Sequence, residues 1–138
     1  FDQYIKHKLK IKYYIRYVDD FILLHSSKEQ LINWKTDIDN FLREKLKLKL
    51  HPDKSKIICL SKGIDFVGFR NYYFNRLLRT RNIRTMRRKI KGYKEGINSF
   101  GEIFEIYKGW QAYAKWGNTY KLRTQIKKEI VDILWERV

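Results

Sequence analysis

Two adjacent aspartates, Asp19 and Asp20, lie between two runs of β-branched and aromatic residues in the segment YYIRYVDDFILLHSS, residues 13–27. Short runs of such residues are typical of β-strands, and aspartate is common in turns because its carboxylate accepts hydrogen bonds from nearby backbone N–H groups. The segment therefore predicts a β-hairpin with the aspartate pair at its turn. The flanking strands are apolar enough that we expect both faces of this hairpin to be buried.

Four further strand signals and one helix signal follow the hairpin. Ser27 and Gln30 have the spacing of a helix capping box, and apolar residues then recur at helical spacing, which predicts a helix over about 28–45. Residues 47–52 alternate between basic and apolar and end at the only proline of the chain, which predicts a strand. Further strand-like runs, separated by short polar or glycine-containing breaks that suggest hairpins, are 56–61, 64–69 and 71–74.

The sequence changes character after residue 75. Residues 76–94 hold nine Lys or Arg and no acid, with helical character over much of their length. A second helix is predicted from Ser99 or Phe100 to near Gly117, and a third begins at Thr119 and has an apolar stripe. Strands followed by helices indicate an α+β fold, with antiparallel hairpins and one long helix in residues 1–76 and three helices in residues 77–138.

The charge balance favours a polyanionic partner. The chain has 138 residues, with 31 Lys and Arg against 15 Asp and Glu, and a formal net charge of +16. Nucleic acid is the first candidate and an anionic membrane surface the second. No apolar run approaches the roughly 20 residues of a membrane-spanning helix, so we expect no membrane partner.

The chain has one cysteine, Cys59, which excludes an internal disulfide. Its apolar neighbours lead us to expect a buried thiol in a reducing compartment, and hence a cytoplasmic protein.

The aspartate pair has a simple structural interpretation and a chemical one. Asp19 and Asp20 could do no more than shape a turn. Two like charges between apolar strands repel one another, however, and a divalent cation would offset that repulsion. In a protein with so much positive charge, a Mg²⁺ bound between these carboxylates and a substrate triphosphate is a coherent alternative. Two carboxylates alone are too few ligands for such a site.

The residues around the pair resemble a known family. RYVDDF, residues 16–21, resembles the Tyr-x-Asp-Asp signature of reverse transcriptases. Residues 1–24 resemble the run between blocks B and C of the bacterial members, LKLHPDKSKI (48–57) resembles block D, and GIDFVGFRNYY (63–73) resembles the primer-grip hairpin, block E. The likeness covers essentially the whole chain, and its blocks follow the family's order. Among subgroups the chain is most similar to the bacterial group-II-intron-like and diversity-generating types.

This resemblance implies a role for each matching segment. Residues 1–76 would be the C-terminal part of the polymerase palm and residues 77–138 the helical thumb. Asp19 would bind metal directly, Asp20 would assist, and Tyr17 and Val18 would lie near the primer terminus. Lys54 would approach the triphosphate of the incoming nucleotide. The primer grip would use Phe66, Gly68 and Phe69.

The basic stretch is expected to contact nucleic acid. An acid-free run of positive charge repels itself, and phosphate contacts would offset that repulsion while releasing counterions. A solvated helix face is the simpler alternative. The expected ligand is an RNA–DNA hybrid recognised through its shape and backbone, and the expected contact residues are Arg76, Arg79, Arg81, Arg84, Arg87, Arg88 and Lys91.

The resemblance also implies that part of the site is missing. Family members carry another metal-binding aspartate in the earlier block A, and the matching blocks here begin after it. We therefore expect an incomplete two-Mg²⁺ site and a chain that is inactive alone. We also expect an exposed sheet edge or apolar face, with self-association through the exposed edge. In the complete enzyme the partners would be an RNA template, a DNA primer and a deoxynucleoside triphosphate. The alternatives are a non-enzymatic nucleic-acid-binding module and the palm of an RNA-templated RNA polymerase.

Overall fold

A computed structural model of the chain describes residues 1–136 and confirms the α+β class. The chain forms two compact units, one comprising Phe1–Cys59 and the other beginning at Leu60. The predicted boundary between palm and thumb, near residue 76, separates functional regions and not compact units. It stays a prediction.

The first unit is built on the predicted hairpin. Strands β1 (Tyr13–Tyr17) and β2 (Asp20–Leu24) pair in antiparallel register, with Tyr17 opposite Asp20. Helix α1 (Lys28–Phe41) follows, and its first turn is capped as predicted because the Ser27 side chain accepts from the Gln30 N–H. Two π-helical turns, Tyr4–Lys8 and Leu42–Leu46, complete the regular structure of this unit.

The hairpin buries one face, and the prediction of two buried faces was wrong. Its inner residues pack with the N-terminal turn and α1 around a core of four buried residues, Ile5, Ile11, Ile38 and Leu42. The outer face lies open: Tyr13 is 56% exposed, Ile15 55% and Tyr17 58%. Burying both faces of a sheet requires a layer on each side. The first unit supplies a layer on one side.

Residues 47–52 do not form the predicted strand. Lys47 adopts a left-handed conformation (φ +56°), and the backbone N–H of Leu50 donates to Asp39 Oδ1 at 3.1 Å instead of to a neighbouring strand. That bond, followed by the Arg43 side chain, lowers the pKa of Asp39 below its ordinary value of 3.8. The alternation of Lys and Leu thus reflects a loop that turns Leu50 toward the core.

The second unit begins with a small sheet. A 3₁₀ turn (Leu60–Lys62) precedes β3 (Ile64–Phe66), β4 (Phe69–Asn71) and β5 (Arg76–Leu78), which pair antiparallel in that order. The predicted strands at 56–61 and 71–74 were wrong, because 56–59 is irregular and 72–75 is the loop between β4 and β5. The predicted run 64–69 is divided by a turn at residues 67–68 into β3 and the start of β4. Cys59 is exposed, contrary to the expected buried thiol.

Three helices follow the sheet, as predicted. They are α2 (Thr80–Lys94), α3 (Phe100–Ala114) and α4 (Tyr120–Trp135). Ser99 and Glu102 form a complete capping box at the start of α3, which lowers the pKa of Glu102. The shared core of the bundle comprises Met86, Ile90, Tyr93, Ile103, Tyr107, Ile126, Ile130 and Ile133. In residues 1–136, none of the helices has both the length and the apolar character needed to span a bilayer.

Candidate functional site

The turn of the first hairpin places a residue of unusual backbone conformation directly before the aspartate pair. Val18 and Asp19 form its two-residue loop, and Asp20 begins β2. Val18 has a φ of +53°, in the left-handed region that β-branched residues rarely adopt. Asp19, the second residue of the loop, does not have a positive φ. A two-residue loop with a positive φ at its first position alone ordinarily has glycine there. Valine here costs about 1–3 kcal/mol of strain, which is characteristic of positions under a functional constraint.

The predicted catalytic residues lie together at this turn and face solvent. Asp19 and Asp20 are both exposed, Tyr17 is 58% exposed and Val18 is 72% exposed. The hairpin thus presents two carboxylates and two apolar side chains at its tip. This arrangement leaves both carboxylates accessible to a cation and to a large ligand.

A brace from the N-terminal segment supports the hairpin near its tip. The Tyr14 hydroxyl donates to Asp2 Oδ1 at 2.5 Å, and Arg16 Nη2 lies 3.1 Å from Asp2 Oδ2. The Tyr14 hydrogen bond, with help from Arg16, holds the pKa of Asp2 below its ordinary range. Burial, followed by the bond to Asp2, raises the pKa of Tyr14. Sequence reasoning missed this brace, because nothing in the spacing of these residues predicts that they meet.

The carboxylate oxygens at the tip of the hairpin are suitable ligands for Mg²⁺, but they are few. Carboxylate oxygens are the hard ligands that Mg²⁺ prefers, and this ion is usually held by one or two carboxylates together with waters and substrate phosphates. Across residues 1–136, no group of three or more His, Cys, Asp or Glu side chains is placed to hold a metal ion. Asp19 and Asp20 therefore fit as a part of a magnesium site and do not make a complete one.

Lys54, the predicted triphosphate contact, lies in an exposed turn of the same unit. Its backbone N–H donates to the His51 carbonyl at 3.3 Å. The Lys35 ammonium donates to the Ser55 carbonyl at 2.6 Å and so ties this turn to α1. Lys54 itself is exposed to solvent.

The second hairpin, β3–β4, turns through Val67 and Gly68, which both have positive φ (+46° and +79°). The Tyr113 hydroxyl donates to the Val67 carbonyl at 3.0 Å, and a Cβ at Gly68 would overlap that same hydroxyl. Gly68 is thus required by an intramolecular contact that sequence reasoning missed. Phe69 is 6% exposed and packs on Tyr113, whereas Phe66 is half-buried. The surface this hairpin offers a ligand is its turn.

The basic side chains predicted to contact nucleic acid face solvent. Each of the seven predicted contact residues is exposed. Arg81, Arg84 and Arg88 follow the three- and four-residue spacing of one helix face. Arg79 forms an ion pair with Asp65, and Lys91 forms one with Glu95. Within residues 1–136, Arg81, Arg84 and Arg88 take part in no ion pair. Helix α2 therefore carries an arginine stripe opposite its buried side.

Comparison with known proteins places these features in a family. The reverse transcriptase (RNA-dependent DNA polymerase) family matches residues 1–71. A 61-residue segment is 38% identical to the COX1/OXI3 intron 2 protein of Saccharomyces cerevisiae and covers 44% of this chain and 7% of that protein. A 95-residue segment is 30% identical to the group II intron-encoded protein LtrA of Lactococcus lactis subsp. cremoris and covers 68% of this chain and 15% of that protein.

The chain thus spans a small part of the length of these curated relatives. The family match covers just over half of the chain and includes both the aspartate hairpin and the β3–β4 hairpin. This chain belongs to the reverse transcriptase family.

Proposed function

We propose that this chain is part of an RNA-directed DNA polymerase of the group II intron type, in which it supplies two active-site carboxylates and contacts to the primer–template duplex. The exposed aspartate pair on a strained turn, in a chain of this family, is the observation that carries the proposal. The similarity to a group II intron-encoded protein supports this type over the diversity-generating one.

Asp19 is the proposed direct ligand of Mg²⁺, and Asp20 assists in positioning the metal or the primer end. When bound, a pair of such ions would stabilise the attacking and leaving oxygens of an in-line displacement at phosphorus. Tyr17 and Val18 lie beside the carboxylates and would pack against the primer terminus. Lys54 would offset negative charge on the leaving pyrophosphate of a deoxynucleoside triphosphate.

The second unit would hold the duplex. In this proposal the β3–β4 turn, with Gly68 at its centre, approaches the primer strand, while Phe66 and Phe69 act by fixing the turn. The exposed arginines of α2 would contact phosphates of an RNA–DNA hybrid. Residues 1–76 then correspond to palm and residues 77–138 to thumb, of which residues 137–138 lie outside the described part of the chain.

The chain is proposed to be inactive by itself. Two neighbouring carboxylates are too few to complete a two-metal site, so a further acidic ligand must come from another segment of polypeptide. The open outer face of the β1–β2 hairpin would pack against that segment, or against a second copy when the chain is alone. We propose a cytoplasmic location for the working enzyme.

Primer extension tests this function. The natural gene product that contains this sequence is given a DNA primer on an RNA template, with Mg²⁺ and either deoxynucleotides or ribonucleotides. Extension with deoxynucleotides supports the proposal. Extension confined to ribonucleotides would indicate an RNA-templated RNA polymerase. Duplex binding with no metal-dependent extension would indicate a non-enzymatic binding module.

A further inference from the structure

Four aromatic side chains of the second unit extend into solvent around one loop contact. Tyr73 is 75% exposed and Phe74 92%, both in the loop between β4 and β5. Trp116 is 73% exposed and Tyr120 76%, one in the connection between α3 and α4 and the other at the first residue of α4. None of them is used by the polymerase function proposed above. We call these four residues the aromatic surface.

The two loops are joined at Arg76. The Asn118 N–H donates to the Arg76 carbonyl at 2.7 Å, and the Arg76 N–H donates to Asn118 Oδ1 at 2.9 Å. The Arg76 guanidinium also donates to the Trp116 carbonyl at 3.4 Å. Every member of the aromatic surface is within three residues of this contact, which is about 10 Å along an extended chain. The four rings thus belong to one region of the unit.

The backbone that carries the rings is held in place. The Tyr72 N–H donates to the Asn75 carbonyl at 2.8 Å and closes the loop that presents Tyr73 and Phe74, whose rings lie 4.6 Å apart in an edge-to-face arrangement. On the other loop, the buried Thr119 hydroxyl donates to the Ala114 carbonyl at 2.5 Å. A rigid platform loses little conformational entropy when a ligand binds.

The two stretches of chain that carry the rings are rich in positive charge. Residues 70–76 and 113–123 contain no Asp or Glu. The exposed basic residues in these two stretches include Arg76, Lys115 and Lys121. Arg70 is also exposed but lies 4.0 Å from Asp65, and Arg123 is partly buried. Exposed aromatic rings with cations between them match single-stranded nucleic acid, whose bases stack on the rings while its phosphates meet the cations. An apolar protein partner would leave these cations unpaired in the interface.

We propose that the aromatic surface binds an unpaired segment of RNA by base stacking. The choice of RNA over DNA rests on the proposed function, because an RNA-dependent polymerase handles a single-stranded RNA template. This contact differs in kind from the duplex contact of α2, because it needs accessible base faces and the arginine stripe needs only phosphates.

A fluorescence titration tests the proposal. The 138-residue chain is titrated with a single-stranded oligouridylate and with an abasic ribose-phosphate strand of the same length. We expect the oligouridylate to quench tryptophan fluorescence and to bind at least about 5-fold more tightly than the abasic strand. Stacking of a single base is enough to give a difference in affinity of this size. Equal affinity for the two strands would overturn the proposal.

Trp116 and Trp135 make a matched pair of variants, because they are 73% and 72% exposed on the same unit. Trp135 ends α4, about 22 Å along the helix from Tyr120. Trp116→Leu should weaken oligouridylate binding by about 5-fold or more and remove most of the quenching, whereas Trp135→Leu should change neither. A Trp116→Leu variant that binds and quenches like the wild type would refute stacking at this surface.

Two further arms complete the design. The double variant Tyr73→Leu with Phe74→Leu should also lose affinity for oligouridylate while keeping the affinity for a blunt RNA–DNA duplex, and equal losses for both ligands would count against a separate surface. The RNA should bind at least as tightly as the matched deoxyoligonucleotide, and tighter DNA binding would overturn the assignment to RNA. Failure of primer extension with stacking intact would refute the proposed function and not the stacking surface.

Discussion

The arginine stripe of α2 predicts a specific change in the salt dependence of duplex binding. Arg84 and Arg88 are exposed and lie one helical turn apart. Neither forms an ion pair within residues 1–136. If each contacts one phosphate, changing both to Gln removes two counterion-releasing contacts. The slope of log affinity against log salt should then become about 1.8 units shallower, because each phosphate contact contributes about 0.9.

The assay is a titration of a blunt RNA–DNA hybrid at several salt concentrations. Between 50 and 200 mM salt, the affinity of the double variant should fall roughly 12-fold less than that of the wild type, which is a fourfold salt increase raised to the power of about 1.8. The matched control is Lys127→Gln with Lys128→Gln, which removes the same charge from exposed positions on α4. Its slope should stay close to that of the wild type.

Two results would refute this reasoning. An unchanged slope in the Arg84 and Arg88 double variant would show that the stripe makes no phosphate contacts. An equal reduction in the α4 control would show that net charge, rather than the α2 face, governs binding.

Three further predictions concern the folded units. Gly68→Ala should destabilise the second unit by at least about 1–2 kcal/mol, because alanine is strained in the left-handed backbone conformation of this position. Overlap of the new methyl group with the Tyr113 hydroxyl should lower the stability further, and adding Tyr113→Phe should restore part of that loss. Chemical denaturation that shows no loss of stability would contradict this. Because the folded-state pKa of Asp39 is lowered, its contribution to stability is present above about pH 4 and is lost as the pH falls through that lowered pKa. Asp39→Asn should therefore flatten the acid side of the stability profile, and an unaltered profile would count against the Leu50 bond. Ile15→Lys on the open hairpin face should reduce the concentration-dependent self-association that sedimentation measures. Ile32 is similarly exposed, and Ile32→Lys should not reduce it. A wild-type chain that is monomeric at every concentration would refute the proposed role of that face.

Local signals in the sequence predicted much of the fold. The caps at Ser27 and Ser99 depend on residues three positions apart, so they can be recognised without knowledge of the tertiary structure. The same holds for the apolar stripe of α4, whose buried members include Ile126 and Ile130. The hairpin around Asp19 was predictable for a similar reason, since its turn and strands are contiguous in the chain.

The failures came from long-range contacts. Residues 47–52 alternate like a strand, yet the N–H of Leu50 finds its acceptor on Asp39 in α1, eleven residues earlier. The need for Gly68 depends on Tyr113, and the brace on the aspartate hairpin depends on Asp2. Pattern reasoning tests neighbouring positions, so it has no means of finding such pairs.

Primer extension by an Asp19→Asn variant tests the central claim most directly. The change is isosteric and removes only the charged ligand, so the hairpin should stay folded. In the natural gene product that contains this sequence, the account predicts a loss of more than about 100-fold in deoxynucleotide incorporation on an RNA template. Asp37→Asn, at an exposed aspartate on α1, should leave incorporation unchanged. Wild-type incorporation by the Asp19→Asn variant would contradict the assignment of this hairpin as the metal-binding part of a polymerase active site.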